Sequence, residues 1–153
     1  MVAQGGSVAV AGGSRGAGEI EALIEQRIAA SVATVFSYLV DPEKFVLWMG
    51  IAATIDPRPG GIFRIDVDGM HIASGRIEVV DPPHRVVLSW GWEGSLDVPP
   101  GSTKVEITLE PEGSQTLLRL RHTGLPDEVQ RASHAQGWAG YIASLAQRLA
   151  TPA

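Results

Sequence analysis

From Pro126 to Leu149 the chain sets Trp138, Tyr141, Ile142, Leu145 and Leu149 at three- and four-residue steps, the spacing that gathers side chains onto one stripe of an α-helix. A stripe that large needs an apolar surface to lie on. Pro126 suits a first helical turn, where a missing N–H is no loss, and Asp127 and Glu128 meet the positive end of the helix dipole. At the far end Arg148 is a favoured cation and Pro152 a stop. Nearly everything upstream reads as strand. The pattern therefore predicts an α+β fold in which a curved antiparallel sheet wraps around one long C-terminal helix.

A length of 153 residues fits a single domain with a substantial core. The net charge of −5 and the lack of a Lys/Arg cluster exclude a nucleic-acid surface. Without cysteine there is no disulfide framework, thiolate metal site or Cys nucleophile. No apolar run approaches the roughly 18 residues of a membrane span, and the start of the chain lacks the basic and apolar blocks of a secretion signal. The expectation is a cytoplasmic protein with no membrane or nucleic-acid partner.

Residues 1–18 are rich in Gly, Ala and Ser and offer little side chain to offset the cost of ordering their backbone, so a mobile tail is expected before a domain over residues 19–150. Val8 to Gly18 resembles the phosphate loop of short-chain dehydrogenases, but that loop needs a helix directly after it. Glu19 to Ile28 alternates as a strand instead, with Ile20, Ala22, Ile24, Gln26 and Ile28 on one face. Ser31 is a suitable N-cap for a short helix over Val32 to Val40, which Asp41-Pro42 ends. Phe45, Leu47, Trp48 and Met49 come after it in a short piece whose aromatic side chains serve as core or as a lid.

A run of hairpins comes next. Ala52 to Asp56 and Ile62 to Val67 flank the turn Pro57-Arg58-Pro59-Gly60-Gly61, Asp68-Gly69 marks a two-residue turn, and Met70 to Val80 returns. After Asp81-Pro82-Pro83-His84, the stretch Arg85 to Trp92 sets Val86, Leu88, Trp90 and Trp92 on one face. Thr103 to Glu110 and a last strand, with Thr116, Leu118, Leu120 and His122 as its inner row, complete the set. Glycines 60, 61, 75 and 91 suit points of curvature. Gly137 and Gly140 flank Trp138 inside the helix, where each costs about 1 kcal/mol against Ala; either the sheet approaches closely there or room is left for a guest.

The order of short motifs resembles a known family. It runs Asp41-Pro42-Glu43, Trp48, Arg58-Pro59-Gly60-Gly61 with Phe63-Arg64, Gly75, Asp81-Pro82-Pro83 with Arg85, Trp90 and Trp92, Thr116 and His122, then Gly137-Trp138. It is similar to the activator of heat-shock-protein-90 ATPase homologue-like domain of the START-like, birch-pollen-allergen-like superfamily, from about Glu19 to Leu149. The resemblance implies a helix-grip fold of six or seven strands, two short helices closing one end, and a cavity between sheet and helix.

Four histidines invite catalysis or metal binding. No HxH or HExxH spacing occurs, no Gly-x-Ser-x-Gly elbow and no paired acid and base, so no metal, cofactor or catalytic residue is assigned. For His122 a hydrogen-bonded core position stands against a role at a ligand's polar end. The four tryptophans are the more informative excess, since rigid rings with an N–H can line an apolar pocket as well as fill a core. The candidate ligand-binding set is Phe45, Trp48, Phe63, His71, Trp90, Trp92, His122, His134, Trp138 and Tyr141. The leading expectation is a monomer or homodimer that binds a small apolar molecule. A cyclase- or hydrolase-like enzyme using the same cavity is one alternative. The other, implied by the resemblance, is a chaperone partner, although the short tail leaves no room for the separate chaperone-binding domain of the full cochaperone.

Overall fold

The computed structural model describes residues 8–15 and 19–150. Its elements in chain order are β1 (Val8–Arg15), β2 (Glu19–Ile28), α1 (Val32–Val40), α2 (Pro42–Phe45), β3 (Ala52–Ile55), β4 (Ile62–Asp66), β5 (Ile72–Asp81), β6 (Arg85–Trp90), β7 (Thr103–Glu112), β8 (Gln115–Thr123) and α3 (Glu128–Ala150). All eight strands form one antiparallel sheet in the order β1-β2-β8-β7-β6-β5-β4-β3. Strands β2 to β8 are the seven expected, and α3 is the gripped helix.

The N-terminal segment departs from expectation. Val8–Arg15 pairs along its whole length with β2, Val8 opposite Gln26 and Arg15 opposite Glu19, in place of an unstructured tail. Composition misled here because a ladder is built from backbone groups, which small residues supply as well as large ones. The next element, β2, is a strand, so the phosphate-loop reading has no helix to rest on. The rest of the expected tail, residues 1–7 and 16–18, and the stop at Pro152 lie outside the described residues.

Local chemistry explains the helix ends. Ser31 Oγ accepts the Thr34 N–H at 3.2 Å and caps α1, burying Val35, Phe36 and Leu39. Asp41 caps α2 through the Glu43 N–H, with Pro42 in the first turn. Helix α3 starts two residues later than the periodicity placed it, because Asp127 Oδ1 accepts the Gln130 N–H at 2.9 Å and acts as a cap, leaving Pro126 outside. Arg148 in its last turn donates to the Leu47 carbonyl, tying the helix end to the segment after α2.

Strand β5 turns the sheet. Its first half, Ile72 to Arg76, pairs with β4, and its second half, Ile77 to Asp81, pairs with β6 through a register shift between Ile77 and Val79. Gly75 sits where the partner changes. A Cβ there would run into the Ser89 carbonyl, so glycine is what lets β5 pass so close to β6. The concave face then buries Ile24, Ile28, Ile65, Ile77, Leu118 and Leu120 against Ile142 and Leu145 of α3. On the other face Arg119 bridges Glu25 and Glu110 across three strands, the alternation a half-buried sheet requires.

Candidate functional site

One stripe of α3, anchored in the core by Trp138, also borders open space. Gln130, Ser133, His134, Gly137, Trp138 and Tyr141 recur at helical spacing and face the last residue of β6, Trp90, the loop residues Trp92 to Ser95, the β4–β5 hairpin residues Met70 to Ile72, and Met49. Between them lies a cavity of about 520 Å³, of the size that takes a drug-sized molecule. Close approach of the sheet to Gly137 and Gly140 is excluded, since a Cβ at either position would meet nothing within 4 Å. At Gly137 the open space is the cavity.

Aromatic rings form its inner wall. Trp90 stands 4.9 Å from Trp138 and 5.4 Å from Trp92, centroid to centroid, the second pair edge-to-face at 86°, within the range where such pairs attract. Behind Trp90 the series continues through Phe63 to Phe45 and Trp48. These last three are core residues: Phe45, Trp48 and Phe63 are buried, do not line the cavity, and Trp48 Nε1 is engaged by the Tyr38 carbonyl.

Two histidines, His122 behind the wall and His134 in the lining, have every ring nitrogen accounted for. Trp138 Nε1–H donates to His122 Nδ1 at 3.0 Å, so the His122 proton is on Nε2, which reaches Thr103 Oγ1 at 2.8 Å; that hydroxyl donates to the Trp90 carbonyl. His134 Nδ1–H donates to the Gln130 carbonyl at 2.8 Å, and its Nε2 accepts the Trp92 Nε1–H at 2.9 Å. Burial, with a smaller contribution from His134, pushes His122 down to about 3. Burial also lowers His134, against the opposing pull of the Gln130 carbonyl. Both rings are neutral acceptors for indole donors.

His122 is therefore the hydrogen-bonded core residue, 0% exposed and away from the cavity lining. The structure brings together His71, Trp90, Trp92, His134, Trp138 and Tyr141 from the sequence-derived set. Trp90 Nε1–H, buried, has no hydrogen-bond partner among the described residues. Gln130, Ser133, Ser95, Met49, Met70, Ile72 and Glu93 were missed. The signal for Gln130 and Ser133 was present: they continue the Trp138–Tyr141 stripe one and two turns upstream, but as polar residues they fall outside an apolar count. Glu93 is held ionised by a bidentate bond to Arg64, at 2.8 and 3.2 Å, which lowers its carboxyl. Among the described residues no group of three His, Cys, Asp or Glu could hold a metal ion, and no helix is long and apolar enough to cross a membrane.

Comparison with known proteins agrees with this architecture. Residues 29–150 match the family described as Activator of Hsp90 ATPase homolog 1-like protein. The crystal structure of CalU16 from Micromonospora echinospora is 31% identical, with a TM-score of 0.74 over 96% of this chain and 87% of that one. The AHSA1-like protein RHE_CH02687 from Rhizobium etli, solved in solution, is 45% identical, with a TM-score of 0.70 over 86% and 82%. The Aha1 dimer from Colwellia psychrerythraea, 21% identical with a TM-score of 0.68 over 83% and 95%, shares the fold. No curated protein matches. With four-fifths of its length inside the family match and its helix-grip architecture shared by these structures, the chain belongs to the Activator of Hsp90 ATPase homolog 1-like family.

Proposed function

We propose that this protein binds a small, largely apolar molecule in the cavity between α3 and the β5–β6 side of the sheet. The observation that carries the reading is the cavity itself: about 520 Å³ walled by Trp90, Trp92 and Trp138, two of whose indoles donate to neutral histidines. Apolar contact with rigid indoles supplies affinity at low entropic cost, and a few polar groups at the edge, Gln130, Ser133 and Tyr141, orient the guest. Native mass spectrometry of the purified protein, followed by tryptophan-fluorescence titration with a panel of apolar aromatic and aliphatic compounds, tests it. A co-purifying mass or saturable quenching is expected. An empty protein that no compound quenches overturns the reading.

The family match favours a second reading, in which the protein stimulates a chaperone ATPase. Stimulation of the purified chaperone from the same cell, insensitive to substitutions that block the cavity, would separate it from the first. Turnover in the cavity would have to come from groups other than His122, because both of its nitrogens are committed.

A further inference from the structure

The third histidine at the site is arranged differently from the other two. His71 lines the cavity at the β4–β5 hairpin, and its Nδ1 lies 2.8 Å from Asp68 Oδ2. A carboxylate only accepts, so Nδ1 carries a proton, and in the neutral ring Nε2 is then the acceptor. The hairpin holds this geometry. Asp68 Oδ1 takes the backbone N–H groups of Met70 and His71 at 3.0 and 2.8 Å, and Asp66 takes that of Gly69 at 2.7 Å. Asp68 is itself kept ionised, lowered to about 2 chiefly by its bond to the His71 ring. Where indole donors occupy His122 and His134, His71 Nε2 has no partner among the described residues.

We propose that His71, aligned by Asp68, is the cavity's acceptor for an acidic hydroxyl, which makes an apolar phenol or enol the ligand class. This rests on the binding reading above. An apolar body lies against Trp90, Trp92 and Trp138, and its O–H points out to the hairpin, where Nε2 receives it. The paired carboxylate strengthens that acceptance by stabilising positive charge on the ring. The other imidazoles have already accepted indole protons, and the Glu93 carboxylate at the same lining is engaged by Arg64.

The test compares 2-naphthol with 2-methoxynaphthalene by isothermal titration calorimetry on the full chain. They share a ring system and differ in the donor. The wild-type protein is expected to prefer the naphthol about tenfold, the size of one good hydrogen bond. His71→Leu should bring the two affinities together by weakening naphthol alone. Asp68→Asn makes a sharper demand: its amide oxygen can keep the backbone bonds, its NH2 then faces Nδ1, and the ring proton moves to Nε2, so the naphthol preference disappears. In ring-resonance spectra, naphthol and not its methyl ether should shift His71 Nε2. Equal binding of both compounds by the wild-type protein overturns this assignment and leaves the cavity reading standing, as does a naphthol preference that survives His71→Leu. Failure of both compounds to bind overturns both.

Discussion

Trp138 on α3 and His122 on β8 share a single hydrogen bond, 3.0 Å from indole nitrogen to Nδ1. Through it the gripped helix is joined to three strands, because His122 donates its Nε2–H to Thr103 at the start of β7 and the Thr103 hydroxyl donates to the last carbonyl of β6. Each atom in the series has one role. Protonating His122 would turn its Nδ1 from acceptor to donor and set two N–H groups against each other in a site without solvent.

Stability should fall with acid for that reason. His122 titrates at about 3 in the folded protein and near 6.5 in an unfolded chain, so the unfolded state binds the proton first. Its contribution is fully present above about pH 6.5 and is lost as pH drops towards 3, at up to roughly 1.4 kcal/mol per pH unit. His134, lowered in the same direction, adds to the slope. Urea unfolding at pH 7.5, 6 and 5 measures it. His122→Phe should be less stable at pH 7.5, having orphaned Trp138 and Thr103, yet show a shallower pH dependence; an unchanged slope would assign the acid sensitivity elsewhere.

A second titration isolates the outer indole. The Trp92 N–H reaches His134 Nε2 only while that nitrogen is unprotonated, so the bond favours the neutral ring. Replacing Trp92 by Phe keeps much of the apolar bulk and removes the donor. The His134 midpoint, followed by ring-proton NMR, should rise relative to wild type. An unchanged midpoint would mean that burial alone sets it.

Much of this was legible in the residues. The stripe through Trp138, Ile142 and Leu145 placed the gripped helix, Ser31 placed α1, and the alternation of Thr116, Leu118, Leu120 and His122 placed the inner row of β8. Strand β1 was not legible, since Val8–Arg15 holds its place by backbone pairing and its composition carries no apolar period. Nor could periodicity separate Phe63, which fills the core, from Trp90, which also walls the cavity: both sit on inner faces, and depth along the sheet decides between them. Gln130 and Ser133 were hidden by polarity. A site facing a hollow uses polar residues where a core-facing stripe would not.

Curvature rests on a few backbone positions, and Gly75 is one of the tightest. An added methyl would press on the Ser89 backbone carbonyl, which cannot move aside without shifting β6. Gly75→Ala should destabilise by about 2–3 kcal/mol, as overpacking does, whereas Gly140→Ala, with open space at its Cβ, should stabilise by about 1 kcal/mol through helix propensity. Paired urea melts read both signs. A neutral Gly75→Ala would show that β5 can turn without that close approach.

Gly137 tests whether the hollow is the working part of the molecule. It lines the cavity, and a Cβ there meets nothing within 4 Å beyond the backbone of its own helix and its chain neighbours. Gly137→Phe should therefore be tolerated by the fold: a helix prefers Phe to Gly by a few tenths of a kcal/mol, and the ring has space to enter. The space is the guest's. Affinity for 2-methoxynaphthalene, which needs no hydrogen bond to His71, should fall at least about tenfold, the loss of roughly 1.4 kcal/mol of contact, while circular dichroism and the urea midpoint hold or improve. Gly140→Phe, one turn on and outside the lining, should leave binding unchanged. Undiminished affinity in Gly137→Phe, with the fold intact, would place the guest somewhere other than between α3 and the tryptophan wall.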